Sequence, residues 1–314
     1  YFAIQNLSAS KTQRLQEGWR EQTQSLFASA ELGYKNTYFL TLTGRNDWDS
    51  KLAFSKQKSF FYPSVGLSAL LSEMVKLPEV ISYAKIRGSY TVVASSFDRF
   101  LTNPGYEYNS QTHNWANPTV YPMDNMKPEK TKSWEIGLNL KFWGNRFNLD
   151  ATYYRSNTLN QTFKVDIPSS SGYKQAIVQA GNVQNQGLEL ALGFNDKWAG
   201  FGWSSNATFT LNRNKVKRLA SGSVNPVTGE AIQMDEMNVG WLGKENVAPR
   251  VILTEGGSMT DIYVYNQLTK DNNGNIKVDQ NGNLGITSSN TPVKVGNLDA
   301  DFNLGWTNHF TYKG

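Results

Sequence analysis

The sequence predicts an all-β chain whose strands form part of a transmembrane antiparallel β-barrel. Three observations carry that expectation. Apolar and polar residues alternate with period two through successive runs of roughly 10–16 residues, the pattern of strands with one oily and one wet face. The connections between runs alternate short and long, as in outer-membrane barrels, where one end carries tight turns and the other long loops. The apolar faces carry no charge at their centres, where a Lys or Arg facing lipid would cost about 2–4 kcal/mol.

Taken in order, residues 1–21 are polar and aperiodic and read as the tail of a loop. The alternation starts at Ser25, with Leu26, Ala28, Ala30, Leu32 and Tyr34 on one face. Lys35-Asn36 makes a short turn, and Tyr38, Leu40 and Leu42 return. A polar connection at 45–57 leads to a third strand through Phe61, Pro63, Val65, Leu67 and Ala69. Pro63 lacks an N–H and belongs where a ladder ends or is interrupted. After a turn at 76–79, Ala84, Ile86, Gly88, Tyr90 and Val92 alternate with Lys85, Arg87, Ser89 and Thr91.

Residues 95–130 form a long aperiodic loop rich in Asn, Tyr, Pro and Trp. The strongest hairpin follows at 131–160. Trp134, Ile136, Leu138, Leu140 and Phe142 oppose Ser133, Glu135, Asn139 and Lys141, and after Gly144-Asn145 the residues Phe147, Leu149, Ala151 and Tyr153 oppose Asn148, Asp150 and Thr152. A second long loop is expected at 159–181. Leu188, Leu190, Leu192 and Phe194 then resume the pattern, 196–200 is a short connection, and Trp203, Ala207, Phe209 and Leu211 return.

Parity places the final run, Phe302, Leu304, Trp306 and Phe310, beside the strand ending near Lys217. Residues 218–297 then form one long extracellular excursion with small hairpins of its own, including 261–267. The result is about nine barrel strands. Trp134, Phe142, Trp143, Tyr153, Trp203 and Trp306 suit an aromatic girdle near strand ends. The same rings would equally pack a soluble sandwich, which is the competing reading of the periodicity alone.

Composition excludes several classes. The 314 residues contain no Cys and two His, which rules out a disulfide framework and makes a histidine-rich metal centre unfounded. The net charge of +5 comes from scattered Lys and Arg, without the basic tract of a nucleic-acid binder. No run of eighteen apolar residues suggests a helical span.

Several stretches are similar in wording and order to one known family. They are GRNDWDS at 44–50, FYPSVGLS at 61–68, KIRGSY at 85–90, KPEKTKSWE at 127–135, NRFNLD at 145–150 with Tyr153-Tyr154, and GNV at 181–183 leading to NQGLEL at 185–190. Together they resemble the SusC/RagA family of TonB-dependent outer-membrane transporters. The resemblance implies a 22-stranded barrel closed by an N-terminal plug, in the outer membrane of a Gram-negative cell. It also implies a SusD-like surface lipoprotein as a hinged lid, the TonB complex as energy source, outer-membrane lipid as surroundings, and an oligosaccharide or peptide as substrate. A dimer of transporter–lid pairs is open on that pattern. Residues 1–314 then read as part of a single barrel domain, with the plug expected before Tyr1 and the last strands after Gly314. A TonB-dependent receptor for a metal chelate or cobalamin, and a passive structural or adhesive surface β-protein, are the alternatives.

No catalytic constellation is present. Asp47 and Asp49 beside Arg45 read as loop-anchoring polar groups rather than acid–base machinery. The candidate contact residues lie in the first long loop, where Tyr106, Tyr108, Asn109, His113, Asn114, Trp115, Asn117 and Tyr121 interleave rings with amides. Rings suit sugar C–H faces and amides suit hydroxyls, but the same set would serve a lid contact or self-packing. Lys85, Arg87, Glu135, Asp150 and Glu189 are expected on the lumen side, facing the plug. No cofactor or metal is expected. At 270–279 the spacing of Asp271, Gly274 and Asp279 departs from an EF-type calcium loop and reads as a solvated turn.

Overall fold

The computed structural model describes residues 18–103, 105–109, 114–123, 126–167, 169–220, 236–242 and 249–313. Its strands are β1 (Thr23–Tyr34), β2 (Tyr38–Asp49), β3 (Ser59–Leu70), β4 (Ile81–Ser95), β5 (Glu107–Asn109), β6 (Asn114–Ala116), β7 (Val120–Tyr121), β8 (Glu129–Phe142) and β9 (Phe147–Leu159). They continue with β10 (Gln161–Asp166), β11 (Gln175–Trp198), β12 (Phe201–Ala220), β13 (Glu236–Trp241), β14 (Arg250–Thr254), β15 (Asp261–Leu268), β16 (Ile286–Asn297) and β17 (Asn303–Tyr312). One helical turn, α1 (Leu71–Met74), follows β3 and was not signalled by any periodicity.

Nine of the strands form one antiparallel path in the order β1-β2-β3-β4-β8-β9-β11-β12-β17. The expected count of about nine holds among the described residues. β12 pairs directly with β17, from Thr210 opposite Asn303 to Phe201 opposite Tyr312, as parity requires. The turns are short where they were expected to be. Lys35 and Asn36 sit at φ of 53° and 51°, Trp143, Gly144 and Asn145 at 47°, 63° and 71°, and Ala199 and Gly200 at 42° and 87°. This is the left-handed backbone that tight hairpins demand. Pro63 lies opposite Gly44 of β2, while the ladder to β4 begins one residue later at Ser64, so its missing N–H interrupts nothing.

Register sorts the side chains. Ile86, Leu138, Ala151, Leu190, Phe209 and Leu304 fall in one row across six strands, all on the apolar face. Lys85, Asn139 and Asp150 form a row on the opposite face, and Arg87, Gly137, Thr152 and Glu189 form another. The apolar face carries large exposed residues, among them Leu67, Ile136, Leu192, Leu304 and Phe310. The nine-stranded sheet thus separates two environments rather than enclosing a dry interior.

Four expectations need correction. Residues 45–49 belong to β2, paired to β3 through Trp48 opposite Ser59. Polar residues there bond one another, so the hydropathy signal fades although the pleat continues. Only Ala199 and Gly200 connect β11 and β12; residues 196–198 are paired strand. Residues 159–181 are not a free loop. Asn160 turns the chain at φ of 61°, and β10 then pairs with the start of β11 from Gln161 opposite Ala180 to Asp166 opposite Gln175. β11 and β12 accordingly reach 24 and 20 residues, beyond the expected 10–16. The signal failed because this extension is covered on both faces, with Ile177 and Val178 both buried, which erases alternation. The girdle is also different in make-up. Trp134 and Trp306 lie inside strands, opposite Tyr90 and Ala207, whereas a chain of ring contacts at the short-turn end runs through Trp143, Phe147, Phe194, Trp203 and Phe310. Indoles on the apolar face stay satisfied, since Trp203 Nε1 donates to Asn308 Oδ1 at 3.1 Å and Trp306 Nε1 donates to Ser205 Oγ at 3.0 Å.

The buried clusters lie at the long-loop end. Ile177 packs with Leu52, Phe60, Phe97 and Met126 on one side of the β10–β11 extension. Val178 packs with Val183, Val216, Leu219, Met237 and Leu253 on the other. The extension is therefore a spine between the first long loop and a second sheet, β13-β14-β15-β16, which lies in sequence between β12 and β17. Asp261, 1% exposed, anchors that second sheet by accepting from Lys294 Nζ at 2.7 Å, Asn297 Nδ2 at 2.7 Å and the Ser258 N–H at 3.0 Å. Burial opposes its ionisation, but these donors outweigh burial and hold the carboxyl below the ordinary aspartate value. A lowered folded-state pKa stabilises above the unfolded value and is lost as pH falls through the folded one. Cleavage by an acid-active protease within residues 249–298 is therefore expected to rise as the pH is lowered from above to below the ordinary aspartate value of about 3.9. Asp261→Asn should raise cleavage already at the upper pH and flatten that rise.

Candidate functional site

The polar face of the sheet is built by one long side chain crossing a glycine. Arg87 on β4 lies over Gly137 of β8 to reach β9. There its Nη2 donates to Asp150 Oδ1 at 2.9 Å and Thr152 Oγ1 at 2.6 Å, and its Nη1 donates to Asn139 Oδ1 at 2.9 Å. Asn139 Nδ2 closes the ring onto Asp150 Oδ2 at 2.6 Å. A Cβ at position 137 would stand 2.5 Å from Arg87 Nε and 2.6 Å from Cζ, so only glycine admits this crossing. Tyr154 repeats the device: it lies over Gly187 of β11 and donates to Asn212 Oδ1 of β12 at 3.2 Å. Lys85, Glu135 and Glu189 share the face with this network, placed by register opposite Asn139, Tyr154 and Thr152. The guanidinium and carboxylate are satisfied by groups of the same sheet face.

Nearer the long-loop end a second polar group anchors the first loop. Asp47 accepts from Arg45 Nε at 2.7 Å and from Tyr62 Oη at 2.6 Å, while Ser96 donates to Asp49 at 2.6 Å. Asp47 thus ties β2 to β3, and Asp49 holds Ser96 at the start of the first long loop.

The loop candidates divide into two places. β5 and β6 pair antiparallel with Asn109 opposite Asn114, and the rings of Tyr108 and Trp115 meet at 5.1 Å with a tilt of 52°. Both rings are at least half exposed, as is Tyr106, and Asn114 and Asn117 are exposed beside them. Tyr121 is not part of that group. It sits on β7, which pairs in parallel with β11, and its ring meets Tyr173 edge-on at 5.0 Å. His113 lies outside the described residues.

Sequence reasoning missed the residue that holds the loop down. Gln179, 4% exposed, accepts from the Lys127 N–H at 2.9 Å and donates to the carbonyls of Lys127 at 2.7 Å and Asn160 at 3.2 Å. A lone glutamine in a polar stretch gives no sequence signal for such a clamp.

The Asp271 and Asp279 turns are twins. Asp271 Oδ1 accepts from the N–H groups of Asn273 and Asn275, each at 2.9 Å, and Asp279 Oδ1 accepts from those of Asn281 and Asn283, each at 2.8 Å. Those bonds hold both carboxyls below the usual range. The carboxylates are spent on their own turns. Among the described residues no group of three or more His, Asp or Glu side chains is placed to hold a metal ion.

Residues 2–313 match the sequence model of the family described as TonB dependent receptor-like, beta-barrel. Over 92% of its length the chain is 26% identical to TonB-dependent receptor P39 of Formosa agariphila, covering 31% of that protein. It is also 26% identical to TonB-dependent receptor SusC of Bacteroides thetaiotaomicron, over 92% of this chain and 30% of that one. The chain spans about a third of the length of the curated relatives it matches. Among solved structures, the RagAB peptide transporter superposes with a TM-score of 0.71 at 18% identity, over 94% of this chain and 32% of that one, a likeness of fold.

Proposed function

Because this chain belongs to the TonB-dependent receptor β-barrel family, whose proteins are receptors and transporters rather than enzymes, we propose that it forms part of the wall of an importer in a Gram-negative outer membrane. The observation that carries this reading is the two-faced sheet. One face offers lipid an unbroken apolar row from Ile86 to Leu304, and the other carries the Arg87–Asp150–Asn139–Thr152 network. Alternating apolar-out and polar-in strands are what a membrane barrel requires.

In this reading the polar face lines the lumen. Lys85, Arg87, Glu135, Asp150 and Glu189 stand against a plug contributed by the rest of the protein. The short turns lie on the periplasmic side, and the β10–β11 spine, the first long loop and the excursion at 218–297 lie outside the cell. Transport is energised by TonB, and a SusD-like lipoprotein covers the outer mouth.

The substrate we propose is an oligosaccharide. The exposed Tyr108–Trp115 pair, with Tyr106 and the amides of Asn114 and Asn117 nearby, presents flat rings beside hydrogen-bonding groups. In the intact transporter with its lid, Tyr108→Ala and Trp115→Ala are each expected to weaken glycan binding about tenfold, the scale of losing one aromatic anchor. The measurement is binding and growth on a panel of glycans, peptides, iron chelates and cobalamin. Uptake confined to peptides would move the substrate class, and uptake confined to a chelate or cobalamin would overturn the proposal. Loss of lid association without loss of glycan affinity would assign the ring pair to the lid instead.

A further inference from the structure

The apolar face is not uniformly ridged. In one row Ala69 lies between Tyr38 and Ile86, and in the next Gly88 lies between Leu67 and Ile136. Two small residues at adjacent positions, flanked by large ones, leave a trough across β1, β2, β3, β4 and β8. It measures about 620 Å³ and is almost wholly apolar.

One end of the trough is marked by charge. Tyr34 lines it, and the next residue, Lys35, rises from the β1–β2 turn with its Nζ 5.3 Å from the Tyr34 ring centre. The turn is fixed, with Thr37 donating from N–H to the Tyr34 carbonyl at 3.0 Å and from Oγ1 to the Lys35 carbonyl at 2.9 Å. The neighbouring connection is tied to it by the Leu70 N–H on the Thr37 carbonyl at 2.9 Å, and carries exposed Glu73, Lys76 and Glu79. Two lysines and two glutamates therefore lie in the two tied connections at the short-turn end, where Tyr34 lines the trough.

We propose that this trough seats one glycerophospholipid, with an acyl chain over Ala69 and Gly88 and the phosphodiester on Lys35. The balanced charge of the two connections at that end fits a net-neutral headgroup that carries an ammonium for the glutamates, as in phosphatidylethanolamine. The proposal rests on the barrel reading above, and specifies a site on a face that the barrel reading leaves featureless.

The test uses the full-length protein purified in detergent, delipidated and examined by native mass spectrometry with phosphatidylethanolamine, phosphatidylglycerol or diacylglycerol added. One retained phosphatidylethanolamine adduct is expected, with less from the glycerol lipid and none from diacylglycerol. A Cβ at position 88 would meet only the Glu135 carbonyl at 3.6 Å, an ordinary contact, so the backbone there accepts a side chain and Gly88→Leu directs one into the trough. It should remove the adduct, as should Ala69→Phe. Lys35→Gln should lower retention about fivefold, the scale of one lysine at a lipid surface. Equal adducts in wild type and both filling variants overturn the trough. Equal retention of diacylglycerol overturns the phosphate contact, and stronger retention of phosphatidylglycerol overturns the neutral headgroup. Heat-modifiable migration of the same preparations reports the barrel separately: a wild type without it sinks the barrel reading, whereas a heat-modifiable barrel without a selective adduct sinks only the lipid site.

Discussion

Replacing Gly137 with valine is expected to expel Arg87 from the polar wall. The new Cβ alone would overlap the guanidinium, at 2.5 Å from Nε and 2.6 Å from Cζ, and the chain cannot shift without breaking the β4–β8 ladder. Expulsion breaks the bonds to Asp150, Thr152 and Asn139 together. Both charged partners are partly exposed, at 30% and 42%, so water recovers part of the loss. A destabilisation of about 1–3 kcal/mol remains, the range for partly solvated charge-assisted bonds that lose their partner. The measurement is the urea midpoint for barrel unfolding of the full-length protein in liposomes. The control is Arg87→Ser combined with Gly137→Val. If the clash with Arg87 is the cause, the double variant should be no less stable than Arg87→Ser alone. Equal damage from Gly137→Val in both backgrounds would assign the effect to the strand backbone and sink the crossing argument.

The second large effect is expected at Leu138→Arg. Leu138 occupies the apolar row between Ile86 and Ala151, well inside β8. A cation there faces hydrocarbon with no acidic partner in its row, at a cost of about 2–4 kcal/mol near the bilayer midplane. Assembly into the outer membrane should fall sharply, read as loss of the heat-modifiable form. Asn139→Arg, one residue away on the polar face, should assemble far better despite the same added charge. Equal failure of the two variants would contradict the assignment of faces.

How much of this was legible follows from which forces act locally. Alternation at 134–142 and 147–153 was readable because each strand there meets two different media, so every second side chain reports its side. Turns at Lys35-Asn36 and Gly144-Asn145 were readable because left-handed backbone selects a few residue types, whereas the 196–200 connection was read too long because its first three residues are paired strand. The pairing of β12 with β17 across the intervening second sheet followed from parity alone. The ring pair Tyr108 and Trp115 was visible as composition, but its separation from Tyr121 was not. That depends on β7 joining β11 in parallel while β5 and β6 pair with each other in a separate sheet.

The sequence by itself determined that the chain makes a large two-faced sheet with tight turns at one end and long connections at the other. It did so because period-two polarity and turn chemistry are properties of neighbouring residues. Only the tertiary structure decided that β10 and the start of β11 form a spine between two clusters, that Gln179 clamps the first loop, and that Arg87 crosses Gly137 to Asp150. In each case the partners are distant in sequence, and a segment buried on both faces or a side chain lying over another strand's glycine leaves no periodic trace in its own neighbourhood.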